Sequence, residues 1–378
     1  MNLIERSHCV ITGKKDLLPL YTFHDFPVFM GCSDEAPEHD LKADMSWAIS
    51  RETGLIQLDR VLPLDVLYRE AHGAGCVGTL WDKHHTMFAE FLHKLAPSSV
   101  FEIGGAHGIL SLKYQRYADI PWTILEPNPT PVDGCKAEFV KGFFDGGFRS
   151  EKTCHTVVHS HLFEHVYEPD RFMQDLSGFI AEGGQLAFSL PNMQVMLERR
   201  YTNCINFEHT VFLSEPYIEF LLAKHGFRLL AKELFMEDHS IFYAAVRDPL
   251  VRPLELPEGL FEKNMRLYLE YVAYHAKLIG ELNATIRETN LPVYLFGAHV
   301  FAQYLVAFGL DTGRIICLLD NDPNKQGKRL YGTSFRIASP KALREVSHPL
   351  VILKAGVYND EVRQDILQNI NPEARFLE

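Results

Sequence analysis

Between residues 100 and 192 four short runs hold carboxylates, imidazoles and glycines at regular intervals. They are V-F-E-I-G-G-A-H-G from Val100, T-I-L-E-P from Thr123, H-L-F-E-H-V-Y-E-P-D from His161 and S-L-P-N from Ser189. Val100 to Ile103 reads as an apolar strand, and Gly104, Gly105, Ala106 and Gly108 as the turn into a helix over Ile109 to Tyr117. Glycines there permit a tight turn and close approach of a ligand to the backbone. Glu102 then stands near the strand's carboxyl end, where open α/β sheets bind ligands. A carboxylate at that point suits the aminium of an amino-acid moiety better than a pyrophosphate. The spacing is E-x-G-x-x-x-G, which departs from the G-x-G-x-x-G of dinucleotide sites.

The next strand ends place matching chemistry. Trp122 to Leu125 forms a second strand capped by Glu126 and Pro127, and an acidic side chain there accepts hydrogen bonds from ribose hydroxyls. Phe139 to Phe144 is expected as a third strand end, with Gly142 and Phe143 lining an adenine slot. Thr156 to Ser160 is a fourth strand, and His161, Leu162 and His165 belong to the loop after it. The pattern resembles class I methyltransferases dependent on S-adenosylmethionine, whose loop after the fourth strand usually reads N-x-L-E-H-V-x-D-P. The resemblance implies S-adenosylmethionine as cofactor.

Elements outside this stretch must position the site. Residues 1–80 show few helical patterns, with short strands expected at Val28–Met30, Trp47–Ile49 and Ile56–Leu58. Residues 81–247 form the cofactor domain, entered by a helix over Trp81 to Leu95 with Met87, Phe88, Phe91 and Leu95 as its buried face. A Pro-rich stretch from Asp248 to Gly259 starts a linker and a long helix, Leu260 to Glu288, within 248–290. Met265, Leu269, Val272, Ala276, Ile279, Asn283 and Ile286 follow a heptad step. Two readings stay open: a connecting helix packed on its own chain, and a helix that pairs two copies in a homodimer. A second α/β unit fills 291–378, with strands at Val293–Phe296, Ile315–Leu319 and Val351–Lys354, and a helix over Val300–Phe308. The expected fold class is α/β: a Rossmann-like methyltransferase domain flanked by a small ribbon-like N-terminal domain and a Rossmann-like C-terminal one.

The order of parts resembles the sugar C-methyltransferase family across nearly the full chain. The last domain carries L-F-G-A-H-V-F-A-Q-Y-L from Leu295, L-L-D-N-D-P-N-K-Q-G from Leu318 and S-P-K-A-L from Ser339. These look like the family's glycine turn followed by D-x-x-P-x-K-Q-G. The family's two N-terminal C-x-x-C-G motifs appear here as Cys9-Val-Ile-Thr12-Gly and Ser50-Arg-Glu-Thr53-Gly. One thiol of four survives, and hydroxyls are poor zinc ligands, so zinc is not expected and the ribbon is expected to persist without it. The family's Y-H-E-H segment is Asn206-Phe-Glu208-His209. The resemblance implies that His209 removes a proton beside a keto group, that Glu208 helps bind the sugar, and that Asn206 stands in the place of a tyrosine. A second, Tyr- and Ser-rich family segment aligns poorly with Tyr68 to Trp81. The implied activity is methyl transfer to a sugar or nucleotide-sugar in carbohydrate biosynthesis. Carbon is favoured; transfer to oxygen or nitrogen, or a non-catalytic subunit that binds S-adenosylmethionine, are the alternatives.

Composition narrows the classes. The chain has 378 residues, 47% of them apolar, and a formal charge of −12 without a basic stripe. Nucleic-acid binding needs clustered Lys and Arg and is not expected. No run of eighteen apolar residues marks a membrane span, and no signal peptide is evident. Seven scattered cysteines fit a reduced, cytoplasmic protein better than a disulfide framework. His155, His159, His161 and His165 imitate a metal cluster, but no supporting carboxylate pair accompanies them, and no metal is expected there. The adjacent His84 and His85 diverge on a helix too widely to share one ion.

Overall fold

The computed structural model describes residues 2–67, 78–149, 154–237, 239–354 and 358–378. Tyr68 to Val77, most of the stretch set against the family's Tyr- and Ser-rich segment, lie outside them. The described chain divides into two units. The first comprises residues 1–18, 48–196 and 208–264; the second comprises 19–47, 197–207 and 265–378.

A seven-stranded sheet organises the first unit. Its strands are β1 (Val100–Ile103), β2 (Trp122–Glu126), β3 (Glu138–Lys141), β4 (Thr156–Ser160), β5 (Gln185–Pro191), β6 (Phe227–Phe235) and β7 (Ser240–Arg247). They lie in the order β3-β2-β1-β4-β5-β7-β6. The pairs from β3 through β5 are parallel, and β7 runs antiparallel to both of its neighbours. The order turns back between β1 and β4, which opens a crevice at their carboxyl ends, the usual ligand position in such sheets. The third strand is shorter than expected and ends at Lys141, so Gly142 and Phe143 lie in the loop beyond it.

Helices cover both faces because strand residues alternate between two cores. Phe101, Ile103, Leu125, Val157 and Phe188 pack with Phe172, Met173 and Leu176 of α3 (Pro169–Phe179) and with Tyr217, Ile218 and Leu221 of α4 (Glu215–Lys224). On the other face Val100, Ile124, Val158 and Ala187 pack with Phe88, Phe91 and Leu92 of α1 (Thr79–Lys94) and with Leu110 and Tyr114 of α2 (Ile109–Tyr114). Met87 was expected on this face and is instead exposed, because a single step from Phe88 rotates it away from the sheet.

The second unit holds a five-stranded parallel sheet of β8 (Val293–Phe296), β9 (Ile315–Leu319), β10 (Ile337–Ala338), β11 (Leu350–Leu353) and β12 (Arg375–Leu377), in the order β10-β9-β8-β11-β12. The long helix α5 spans Leu260–Glu288 as its periodicity predicts, but its buried stripe is different. Tyr268, Tyr271, His275, Ile279, Leu282 and Ile286 are buried, while Leu269 and Ala276 are exposed. Counting only aliphatic residues misplaced the face, since the large apolar bodies of tyrosine and histidine also drive burial. Asn283 donates to Gly309 O at 2.8 Å and accepts from Asp311 N at 2.7 Å, so the one polar heptad member fastens a loop of its own unit. The strand expected at Val28–Met30 is absent. The ladder runs through Leu17–Pro27 and stops at the proline, which cannot donate to continue it. The strands expected at Trp47–Ile49 and Ile56–Leu58 are present, the first within Lys42–Ser50.

Two turns keep the form of metal knuckles with one thiol, Cys9, of four. Gly13 N donates to Cys9 O at 2.8 Å and Gly54 N to Ser50 O at 2.9 Å, with φ of +73° and +69° at the two glycines. The hydroxyls fill the donors' places with hydrogen bonds. Ser50 Oγ donates to Asp16 at 2.8 Å and accepts from Thr53 N at 3.2 Å. Cys9 Sγ and Thr53 Oγ1 lie 3.5 Å apart. Among the described residues no helix is long and apolar enough to cross a membrane.

Candidate active site

The turn after β1 is built from residues with little tolerance for side chains. A Cβ on Gly105 would sit 2.7 Å from both Glu102 Cδ and Ile124 Cγ2, and one on Gly108 would sit 2.5 Å from Cys135 Sγ at φ +74°. Ala106, between them, also has a positive φ of 44°. Glu102 lies beneath this turn, 3% exposed, and accepts from the Trp122 indole at 2.8 Å. Burial pushes its carboxyl up to about 7, the indole hydrogen bond opposes this, and the Glu126 charge adds to it.

At the end of β2, Glu126 Oε2 accepts from Ala106 N at 3.1 Å and Oε1 from Asn128 N at 3.0 Å. Two backbone amides thus fix the carboxylate, and each oxygen keeps a lone pair for a hydroxyl. Pro127 follows it directly. Gly142 N donates to Glu126 O at 3.2 Å, which ties the loop after β3 to this point, and Phe143 beside it is 54% exposed. Across the crevice, Ser160 ends β4 and Leu162 lies over Gly104, its Cδ1 3.5 Å from where a Cβ would be. The cofactor candidates Glu102, Gly104, Gly105, Ala106, Gly108, Glu126, Pro127, Gly142, Phe143, Ser160, His161, Leu162 and His165 therefore gather at the carboxyl ends of β1 to β4. An amino-acid moiety at the turn, a ribose on Glu126 and a flat ring beside Phe143 suit this donor set.

The loop after β4 holds a buried carboxylate among imidazoles. His161 has φ +48°, its amide donates to Ser189 O at 2.8 Å, and its Nε2 contacts Ser240 Oγ at 2.9 Å. Glu164 is fully buried, and its Oε1 lies 3.2 Å from His161 Nδ1 and 3.8 Å from His165 Nε2. Burial raises the Glu164 carboxyl above the usual range, against the pull of His165 and His209. Burial likewise pushes His165 down to about 4, opposed by Glu164.

His209 meets this loop: its ring centroid is 5.1 Å from that of His165. The reason is a set of bonds around the next residue. Thr210 N donates to Glu164 O at 3.0 Å, Thr210 Oγ1 to Val166 O at 3.1 Å, and Leu58 N to Thr210 O at 3.0 Å. Phe212 N donates to Ile56 O at 2.9 Å, so the strand Ile56–Leu58 of the ribbon region holds the segment behind His209. Arg6 completes the clamp, with its guanidinium donating to Thr210 O at 3.1 Å and to Tyr167 O at 2.7 Å. Arg6, Thr210 and Glu164 were not singled out from sequence. The first two lack motif context, and Glu164 was read only as part of a run. Glu208 and His209 are half-buried; Asn206 belongs to the second unit and donates to Asn203 O at 3.3 Å.

Of the four histidines that imitate a metal cluster, His161 and His165 flank Glu164, while His155 and His159 stand apart from it. His155 lies by Thr156 Oγ1 at 3.1 Å, and His159 is stacked on Phe188 with ring centroids 4.9 Å apart. His84 bonds Ser189 Oγ at 2.9 Å and His85 bonds Trp81 O at 2.8 Å.

Residues 79–232 match the family model of a methyltransferase domain. No match is found among curated protein sequences. Similar solved structures include an O-methyltransferase family protein from Burkholderia thailandensis, 15% identical, covering 45% of this chain and 56% of that one at a TM-score of 0.38. The N-methyltransferase NodS from Bradyrhizobium japonicum WM9 is 14% identical, with 45% and 97% covered and a TM-score of 0.35. Magnesium protoporphyrin IX methyltransferase from Synechocystis PCC 6803, with bound SAH, is 14% identical, with 48% and 93% covered and a TM-score of 0.37. The chain spans 56% of the length of the first of these.

Proposed function

We propose that this chain, whose residues 79–232 match a methyltransferase domain, transfers the methyl group of S-adenosylmethionine to carbon of a sugar or nucleotide-linked sugar. S-adenosylmethionine supplies an electrophilic methyl group on its sulfonium. A C–H bond is not nucleophilic until its proton is removed, so carbon transfer needs a base beside the crevice. His209 is that base in this reading, Glu208 binds the acceptor, and Asn206 replaces a tyrosine contact. What supports the reading is the clamp on Thr210, which fixes His209 against the loop after β4, where the cofactor residues converge. Residues 1–80, 81–247 and 291–378 act as ribbon, donor and acceptor-covering parts.

Asn206 in the place of tyrosine favours a second reading, transfer to oxygen or nitrogen of the same sugar. One experiment tests both. Protein incubated with S-adenosylmethionine and a panel of nucleotide sugars is assayed for S-adenosylhomocysteine. Release with at least one sugar supports the reading; binding of S-adenosylmethionine without release on any acceptor favours a non-catalytic subunit. Loss of an exchangeable C–H, followed in deuterium oxide by mass spectrometry, separates carbon from oxygen or nitrogen. His209→Ala is expected to lower turnover by about 10²–10⁴-fold, the usual contribution of a positioned base.

A further inference from the structure

The loop after β4 and the segment at His209 contain a carboxylate whose environment is incomplete. Glu164 has no solvent exposure, and neither of its oxygens meets a donor in hydrogen-bonding geometry. A buried carboxylate left in that state is strongly unfavourable, and an orphaned buried polar group calls for an ion or a water. Three imidazoles stand near it: His161, whose Nδ1 is 3.2 Å from Oε1 and whose Nε2 already contacts Ser240 Oγ, and His165 and His209. One ligand atom each from Glu164, His165 and His209 lie within 4.8 Å of one another.

We propose that Glu164, His165 and His209 bind a divalent transition-metal cation at the carboxyl end of β4. Imidazole and carboxylate donors bind such a cation at about 2.0–2.2 Å, which places tetrahedral donor atoms about 3.4 Å apart. Glu164 Oε1 and His165 Nε2, at 3.8 Å, are already near that spacing. The remaining closure is under about 1.5 Å and falls on side-chain torsions. The backbones are fixed in place, because Thr210 N is bonded to Glu164 O and Thr210 Oγ1 to Val166 O. Two histidines and one carboxylate select zinc, cobalt, iron or manganese over magnesium and calcium, which prefer oxygen donors. Three protein ligands leave positions open, the arrangement of catalytic sites.

The cluster lies on the loop after β4, at the end of the sheet where the donor-side candidates gather, and in the methyl-transfer reading an acceptor oxygen is the fourth ligand. This last assignment rests on the methyl-transfer reading; the binding of the cation does not.

The test uses the full chain, stripped by chelator and titrated calorimetrically with zinc, cobalt, manganese or magnesium chloride alone. One equivalent of a transition cation is expected, bound at least tenfold more tightly than magnesium. The cobalt spectrum should lack a thiolate charge-transfer band, since the ligands hold no sulfur. Glu164→Gln, His165→Ala and His209→Ala should each weaken binding at least tenfold, and His155→Gln should leave it unchanged. Thermal unfolding checks that each variant folds. His209 is half-buried, so its variant keeps the test decisive if Glu164→Gln does not fold. No stoichiometric binding, a cobalt–thiolate band, or wild-type affinity in His165→Ala and His209→Ala overturns the proposal. No acceptor enters this measurement, so its failure leaves the sugar reading standing, and a silent nucleotide-sugar panel leaves the cation site standing.

Discussion

Trp122 donates its indole N–H to Glu102 Oε2 at 2.8 Å, joining the start of β2 to a buried carboxyl under the glycine turn. That one bond does not offset burial, and the carboxyl rises from 4.5 to about 7. The folded protein therefore holds this proton where the unfolded chain has released it. Stability from Glu102 is complete below about pH 4.5 and is lost as pH rises to about 7, at most about 3 kcal/mol in all. Glu102→Gln keeps an acceptor for the indole and cannot ionise. Urea unfolding at pH 5, 6, 7 and 8, without cofactor, should show the wild type weakening toward pH 8 relative to this variant. Parallel profiles would refute the assignment.

Gly105 and Gly280 should respond to alanine in opposite directions. At Gly105 the new methyl meets Glu102 and Ile124 at 2.7 Å, both packed in the sheet. Overpacking of this kind costs roughly 1–3 kcal/mol, and S-adenosylmethionine affinity should fall at least tenfold as the turn shifts. At Gly280, inside α5, a methyl meets nothing within 4 Å. Alanine there should stabilise by about 0.5–1 kcal/mol through helix propensity. Chemical denaturation of both variants, with calorimetric cofactor binding for the first, measures the contrast.

His159 gives the acid limb of stability. Its two ring nitrogens have no hydrogen-bond partner, and it packs among Phe163, Phe172 and Phe188. Burial pushes it down to about 3, so the unfolded chain takes the proton first. Stability is lost as pH falls below about 6.5, by up to about 1.4 kcal/mol per pH unit. His159→Phe removes that term and suits its aromatic neighbours. The variant's unfolding free energy should fall less than the wild type's between pH 6.5 and 4.5. An equal fall in both would show that His159 contributes nothing.

The two knuckle turns make an engineering prediction. Ser50→Ala removes the bond to Asp16 and leaves Thr53 N without its acceptor, at a loss of about 1–2 kcal/mol in urea unfolding. Thr12→Cys, Ser50→Cys and Thr53→Cys together restore four thiols on turns that keep their backbone form. That triple variant should bind one more zinc than the wild type, with a cobalt–thiolate band that the wild type lacks. The same metal count in both proteins would mean that the turns no longer converge as a ligand set.

Legibility in the sequence followed how local the cause was. Glycine spacing from 104 to 108 and apolar runs at 100–103, 122–126 and 156–160 depend on neighbours in the chain, and they placed the turn and the strands. The buried face of α5 was read poorly because Tyr268, Tyr271 and His275 bury through partners distant in sequence. The strand at Leu17–Pro27 ends one residue before the expected segment, at a proline, for a local reason that composition alone obscured.

The sequence alone determined the α/β class and the place of the glycine turn between two strand-end carboxylates, because apolar runs and glycine spacing are local features of the chain. Only the tertiary structure brought Arg6, the strand Ile56–Leu58 and Thr210 together behind His209, and His209 against Glu164 and His165. Those contacts join residues up to 204 positions apart, and hydrogen bonding at such separations leaves no period or spacing in the chain to read.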